Sequence, residues 1–221
     1  RSIKNWDGKY FGTITLRRAL STSRNIPALK AFQKVDNKKI RKFVTSLGIT
    51  PEVCNSGYKY DKEKDLCINK TDSSDTQNPL TLHEAHSIGA FTGVSPLEMS
   101  AAYAAFSNGG YYNEPYTVEK IVFRQTKKEV THKSTKTQVM SDATAFMISS
   151  VLQDVSLTGG TPKNVACKTG TTNFDDNTMK NYRMPNDAIR DSWVVGYSTK
   201  TVIGMWYGYD SFTKQSIADG Y

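Results

Sequence analysis

The stretch Lys168-Thr169-Gly170-Thr171-Thr172 packs an ammonium, three hydroxyls and a position without a side chain into five residues. A lysine is a compact positive charge for an anion, and glycine within a strand marks the close approach of a ligand or another backbone. The chemistry on offer is anion binding along a strand. An edge strand with a solvated lysine has the same composition, because lysine also blunts exposed sheet edges. A second polar knot, Ser23-Arg24-Asn25, stands far upstream. Taken alone, its serine and asparagine are residues that cap helices.

The cysteines and histidines offer less. Cys54 and Cys67 flank a polar, turn-rich stretch and are either a disulfide of an exported protein or two free thiols. A bond closing that loop of about 15 residues would contribute roughly 3 kcal/mol. Cys167 fits a small buried hydrophobe. His83 and His86 lie at i, i+3, but no third ligand has metal-site spacing and His132 does not supply one. No metal and no cofactor is expected.

These residues need elements to position them. Val165-Ala166-Cys167 is a short apolar run ahead of the lysine, so the lysine sits on a strand that continues through the threonines. The segment "SWVVGYSTKTVIGMWYGYD" predicts two strands around a Ser198–Lys200 turn, a hairpin beside that lysine strand. Upstream, a helix starts near Thr15, and Pro27 belongs in the first turn of the next one, with "STSRN" as the break between them. Asp36 caps a third helix with an apolar stripe at Ile40, Phe43, Val44 and Leu47, stopped by Gly48.

Residues 50–80 are rich in Asp, Lys, Ser and Asn and predict an irregular insertion. Ser95 and Glu98 form a capping box with Pro96 at the first helical position, opening a helix buried on most sides and stopped by Asn108-Gly109-Gly110. "TVEKIVF" and "EVTH" predict two strands, Ser141 caps another apolar helix, and residues 173–191 predict a long polar loop. Helices dominate the first two thirds and antiparallel strands the last third. The expected fold is α+β, an antiparallel sheet with packed helices, in one domain over residues 1–221.

The bulk composition agrees. The 221 residues are 38% hydrophobic, enough for a single core, and no apolar run is long enough to span a bilayer. The net charge of +8 suits an anionic partner. Its basic residues are scattered without a nucleic-acid motif, so no nucleic acid is expected. The chain opens on "RSIKNWDGKY", with neither a methionine nor a signal peptide, and is expected to be a piece of a longer polypeptide.

Ser-x-Asn followed far downstream by Lys-Thr-Gly resembles two of the three motifs of penicillin-binding proteins and related β-lactamases. The chain is similar to the transpeptidase domain of class A, bifunctional, high-molecular-weight penicillin-binding proteins over almost its full length. "TLRRALSTSRNIPALK", "GVSPLEMSAAYAAFSNGGYYNEPY", "KTGTTN" and "DSWVVGYSTKTVIGMWYGYD" carry the resemblance. It implies a serine-type D-Ala-D-Ala transpeptidase of peptidoglycan stem peptides, with an amine acceptor, that is the target of β-lactams. Ser23 would relay protons to the leaving amine, Asn25 would bind the donor peptide backbone, and Lys168 would hold the terminal carboxylate. Thr169 and Thr171 would add hydroxyls, the Thr171 N–H would be an oxyanion donor, and Gly170 and Thr172 would complete the strand against which the substrate lies. Cys167 departs from the small residue, often glycine, that precedes this lysine in the family.

The family's first motif, the Ser-x-x-Lys that carries the nucleophile, precedes Ser-x-Asn and is not found there. Two look-alikes occur elsewhere, Ser56-Gly57-Tyr58-Lys59 and Ser211-Phe212-Thr213-Lys214. The first has an internal glycine that opposes a helix, and the second is out of family order. The nucleophile is expected on an upstream segment, leaving this chain inactive by itself. That segment would also bring the anchor that holds the protein at the outer face of the bacterial cytoplasmic membrane. Two other functions fit the same motifs: a carboxypeptidase or β-lactamase of this fold, and a peptidoglycan- or β-lactam-binding sensor module.

Overall fold

Thr15 ends the polar opening of the chain by accepting the Arg18 N–H, which starts α1 (Leu16–Ser21). The computed structural model describes residues 3–51, 53–91, 93–157, 159–185 and 188–208. After a three-residue break, α2 (Asn25–Gln33) carries Pro27 in its first turn, where a missing N–H costs little. Asp36 caps α3 (Asn37–Ser46). Ser95 and Glu98 form the capping box of α4 (Pro96–Ser107), and Ser141 caps α5 (Asp142–Leu152). Each of these side chains satisfies one of the backbone N–H groups that a helix start leaves without a partner.

The main sheet follows from the C-terminal sequence pattern. β8 (Ala166–Asn173), β9 (Ile189–Tyr197) and β10 (Val202–Gly208) are antiparallel in the order β10-β9-β8. β9 and β10 form the expected hairpin, and Lys168 pairs in register with Val195, Gly170 with Trp193 and Thr171 with Ser192. β8 is therefore an edge, with β9 on one side and no strand on the other among the described residues.

Two apolar clusters form the core, the first among the helices and the second between α5 and this sheet. One joins Leu47 and Ile49 to Ala102, Ala105, Met140 and Ala145. The other joins Leu152 and Val155, at the end of α5, to Ala166, Cys167 and Tyr197. α4 packs close to β10, where a Cβ on Gly204 would lie 2.4 Å from Ser100 Oγ. Ser149 ties the layers together, bonding Tyr197 Oη at 3.0 Å and the Phe106 carbonyl at 3.1 Å. The architecture is α+β, as the sequence predicts.

Three expectations need correction. Residues 50–80 are not irregular: β1 (Tyr58–Asp61), β2 (Leu66–Asn69) and β3 (Thr76–Gln77) make an antiparallel sheet in the order β1-β2-β3. Within this segment Cys54 and Cys67 form the disulfide, the first of the two alternatives the sequence left open, with Cα atoms 5.6 Å apart. On α3, Phe43 faces solvent while Arg41 and Thr45 are buried. The cause lies in the insertion, whose buried Asp65 accepts three bonds from the Arg41 guanidinium. The loop over 173–191 contains a short helix, α6 (Asp176–Asn181), capped by Asp175.

The predicted pair "TVEKIVF" and "EVTH" is present as the hairpin β5 (Lys120–Val122) and β6 (Glu129–Thr131). Beside it, β4 (Tyr111–Asn113) pairs with β7 (Lys136–Gln138). No helix among the described residues is long and apolar enough to cross a membrane.

Candidate functional site

Ser23 sits where α1 ends, in a backbone conformation that favours glycine. Its φ is +53°. The Arg24 N–H donates to the Ala19 carbonyl at 2.9 Å and the Ser23 N–H to the Leu20 carbonyl at 3.1 Å. This pair of bonds is the Schellman arrangement, which places a left-handed residue just past the helix end. A residue with a Cβ in that region costs roughly 1–2 kcal/mol. Such strain persists only where surrounding contacts enforce it.

α5 sets the distance across the site. Arg17 of α1 donates through Nη1 to the Ser150 carbonyl at 2.9 Å and to Asp154 Oδ2 at 2.7 Å, and through Nη2 to Ser150 Oγ. The same C-terminal end of the helix packs on β8 through Leu152 and, just beyond it, Val155. The α1–α2 junction and the lysine strand are thus braced from one helix. Lys168 spans the remaining gap, and its Nζ donates to Ser23 Oγ and to the Thr169 carbonyl. Burial pushes the Lys168 ammonium below the usual lysine pKa, with the neighbouring Cys167 thiol acting weakly the other way.

Asn25 opens α2 on the same junction, and its Nδ2 donates to the Lys4 carbonyl at 2.7 Å. One of its two amide hydrogens is thereby engaged. Thr169, Gly170, Thr171 and Thr172 continue along the open edge of β8 and are exposed. A Cβ on Gly170 would meet only Trp193 Cβ, at an ordinary 3.5 Å. The protein's own packing does not demand glycine here, so the space is left for whatever lies against the edge. Ser23 and Lys168 are in direct contact, while Asn25 and the threonines border them on the two elements that carry that contact.

The segment ahead of α1 escaped the sequence reading. Asn5 Oδ1 accepts the Ile26 N–H at 3.2 Å and so caps α2 from a distance, because Arg24 provides no side-chain cap. Asp7 Oδ1 accepts from Arg24 Nη1 at 2.7 Å in a pair whose side chains are only 15% and 8% exposed. The Arg24 guanidinium also lies over the rings of Trp6 and Phe11, and Trp6 Nε1 donates to the Thr22 carbonyl. The dense polar and aromatic run "NWDGKYF" was the available signal.

The first nucleophile look-alike lacks the local geometry of the motif. Ser56 precedes Gly57, whose φ is +89°, and Lys59 lies on β1. Serine and lysine therefore do not share a helix face there. Ser211 to Lys214 lie outside the described residues. Among the described residues no group of three or more His, Cys, Asp or Glu could hold a metal ion.

Comparison with known proteins gives a consistent set of relatives. Residues 1–205 match the family model described as the penicillin binding protein transpeptidase domain. The chain is 42% identical over 218 residues to penicillin-binding protein 1A/1B of Bacillus subtilis (strain 168), covering 94% of this chain and 21% of that protein. It is 32% identical over 228 residues to penicillin-binding protein 1A of Streptococcus oralis, covering 99% of this chain and 32% of that one. Among solved structures, penicillin-binding protein 1A from Haemophilus influenzae aligns with a TM-score of 0.65 at 22% identity, over 94% of this chain and 32% of that one. An imipenem acyl-enzyme complex of penicillin-binding protein A from M. tuberculosis aligns with a TM-score of 0.62 at 16% identity, over 93% of this chain and 46% of that one. The chain spans no more than about a third of the length of these two curated relatives.

Proposed function

This chain belongs to the transpeptidase-domain family of penicillin-binding proteins, and from that premise we propose that it forms the substrate-binding part of a serine D,D-transpeptidase. The reaction cleaves a D-Ala-D-Ala stem peptide through a serine ester and passes the acyl group to an amine of a second strand, cross-linking peptidoglycan. β-Lactams acylate the same serine. The observation that carries this reading is the hydrogen bond from Lys168 Nζ to Ser23 Oγ, which joins the family's second and third motifs.

The geometry supports a division of labour. Ser23 Oγ accepts from Lys168, so its own hydrogen is left for the leaving amine of the donor peptide, as a proton relay requires. The Lys168 ammonium attracts the peptide's terminal carboxylate, and the Thr169 and Thr171 hydroxyls on the exposed edge add hydrogen bonds to it. The donor peptide lies along the open edge of β8 as an added strand, with Gly170 giving it room and Thr172 extending the edge. The Thr171 N–H stabilises the oxyanion. Asn25 binds the donor backbone with its remaining amide hydrogen and its Oδ1. No cofactor enters this scheme.

We assign the nucleophile to a Ser-x-x-Lys element outside these 221 residues, which by themselves would take up no penicilloyl group. That further stretch would also carry the anchor to the outer face of the cytoplasmic membrane. The test is intact-mass measurement of a protein containing this chain after exposure to penicillin, followed by peptide mapping. One adduct is expected, on a serine outside residues 1–221. An adduct on Ser56 or Ser211 would reassign the nucleophile. A complete protein without an adduct would make the cleft a binding module, and rapid loss of the adduct to water would make it a β-lactamase.

A further inference from the structure

The ion pair between Asp7 and Arg24 lies immediately behind Ser23 and has no part in the proton relay just described. We propose that Asp7 and Arg24 are positioning residues that lock Ser23 in its left-handed conformation and so keep its hydroxyl on Lys168. The inference rests on the reading of Ser23 as the relay.

Four observations meet at this junction. Ser23 has φ +53° at the position past α1 where glycine is the usual occupant. Arg24, the next residue, is the second anchor of that helix end, and its N–H bonds Ala19. An apolar contact usually secures this residue, but here the position is held by charge and rings. Its guanidinium bonds Asp7 Oδ1 at 2.7 Å and lies 4.5 Å from the Phe11 ring centroid and 5.6 Å from that of Trp6. The surrounding chain closes the clamp: Trp6 bonds the Thr22 carbonyl, Asn5 caps α2 and the Lys4 carbonyl takes the Asn25 amide.

The pair is nearly sealed from water, with side chains 8% and 15% exposed. Screening by salt is weak for such a pair, and rotation of Arg24 would leave a buried charge without a partner. Since Ser23 and Arg24 share a peptide bond, fixing the plane of one restrains ψ of the other. Without the clamp, the junction can relax toward the right-handed conformations that serine prefers, which re-aims Oγ away from Lys168. The pair acts through Ser23 and touches neither substrate nor the reacting atoms.

The experiment uses the complete protein that contains this chain, with fluorescent penicillin as the probe and the second-order acylation rate as the readout. Asp7→Asn should slow acylation at least tenfold in the wild-type background. In a Ser23→Ala background the same change should have no further effect, because the clamp has no hydroxyl left to aim. Equal slowing in both backgrounds would mean a general packing role and overturn the proposal. Should Asp7→Asn fail to fold, the pair Asp7→Asn with Arg24→Met removes both charges while keeping their bulk. Unchanged acylation in that folded double variant would also overturn it. If Ser23→Ala itself acylates at the wild-type rate, the relay reading has failed rather than the clamp alone.

Discussion

Lys168 Nζ donates to Ser23 Oγ across 145 positions of sequence, and that contact is the point where a helix junction and a sheet edge become one site. The ammonium is only partly solvated, and burial pulls its pKa below that of an ordinary lysine. The charged form is the one that can hold a carboxylate. Acylation by penicillin should therefore fall on its alkaline limb at a lower pH than a free lysine would give. Lys168→Arg, which cannot deprotonate in this range, should move that limb upward, and Lys168→Ala should lose about 100-fold or more in rate. A pH–rate profile of the three proteins checks this.

Gly170 and Gly110 should respond oppositely to alanine. At Gly170 the added Cβ meets only Trp193 Cβ at 3.5 Å. Gly170→Ala should leave the melting temperature unchanged while weakening binding of a stem-peptide donor that lies along β8. Gly110 has φ +90°, and its Cβ would fall 2.2 Å from the Met140 carbonyl oxygen. Gly110→Ala should destabilise by about 2 kcal/mol or more. Thermal melts and donor titrations separate the two effects.

The Arg41–Asp65 pair makes the insertion sensitive to acid. Burial pushes the Asp65 carboxyl up, but bonds from Tyr60, Arg41 and Lys38 outweigh it and hold the group well below the usual carboxylate range. A depressed folded pKa contributes stability that is fully present above the unfolded value near ~3.9 and is lost as pH falls through the folded one. Stability by urea melts should decline below about pH 5, and Asp65→Asn should flatten that decline. Asp65→Ala should cost about 3–5 kcal/mol, because it strands a buried guanidinium.

Reduction of the Cys54–Cys67 bond should act on the same insertion. The bond spans 13 positions, and opening a loop of that size costs roughly 3 kcal/mol in the chain-entropy picture. Dithiothreitol should lower the melting temperature. Amide exchange should show the loss over β1–β3 first, with β8 and β9 protected as before. Equal loss of protection in β8 would mean that the insertion supports the cleft directly.

The sequence disclosed what is encoded locally. Thr15, Asp36, Ser95 and Ser141 announce their helices because a capping side chain acts within four residues of itself. β8 and the β9–β10 hairpin show through their apolar and β-branched runs. The insertion did not show. β1 and β2 carry Lys, Asp, Tyr and Asn, and what orders them is a disulfide and the distant Arg41, neither of which leaves a local period. The same contact hid the true inner face of α3, where a charged residue outcompetes Phe43 for burial. In the site, Ser23, Asn25 and Lys168 were legible as motif residues. Asn5 and Asp7 were not, since their partners Ile26 and Arg24 lie on the far side of α1.

α5 has a consequence for how this cleft can change over generations. Its C-terminal end receives the Arg17 fork at Ser150 and, just past the helix, at Asp154, while Leu152 and Val155 of that same end rest on β8. It works as a gauge block between the two walls. Substitutions along it can widen or narrow the gap between Ser23 and Lys168 while every residue that meets a ligand keeps its identity. On the proposed reading of the cleft, selection for a different fit in the gap can thus act on a helix set behind the residues assigned to binding.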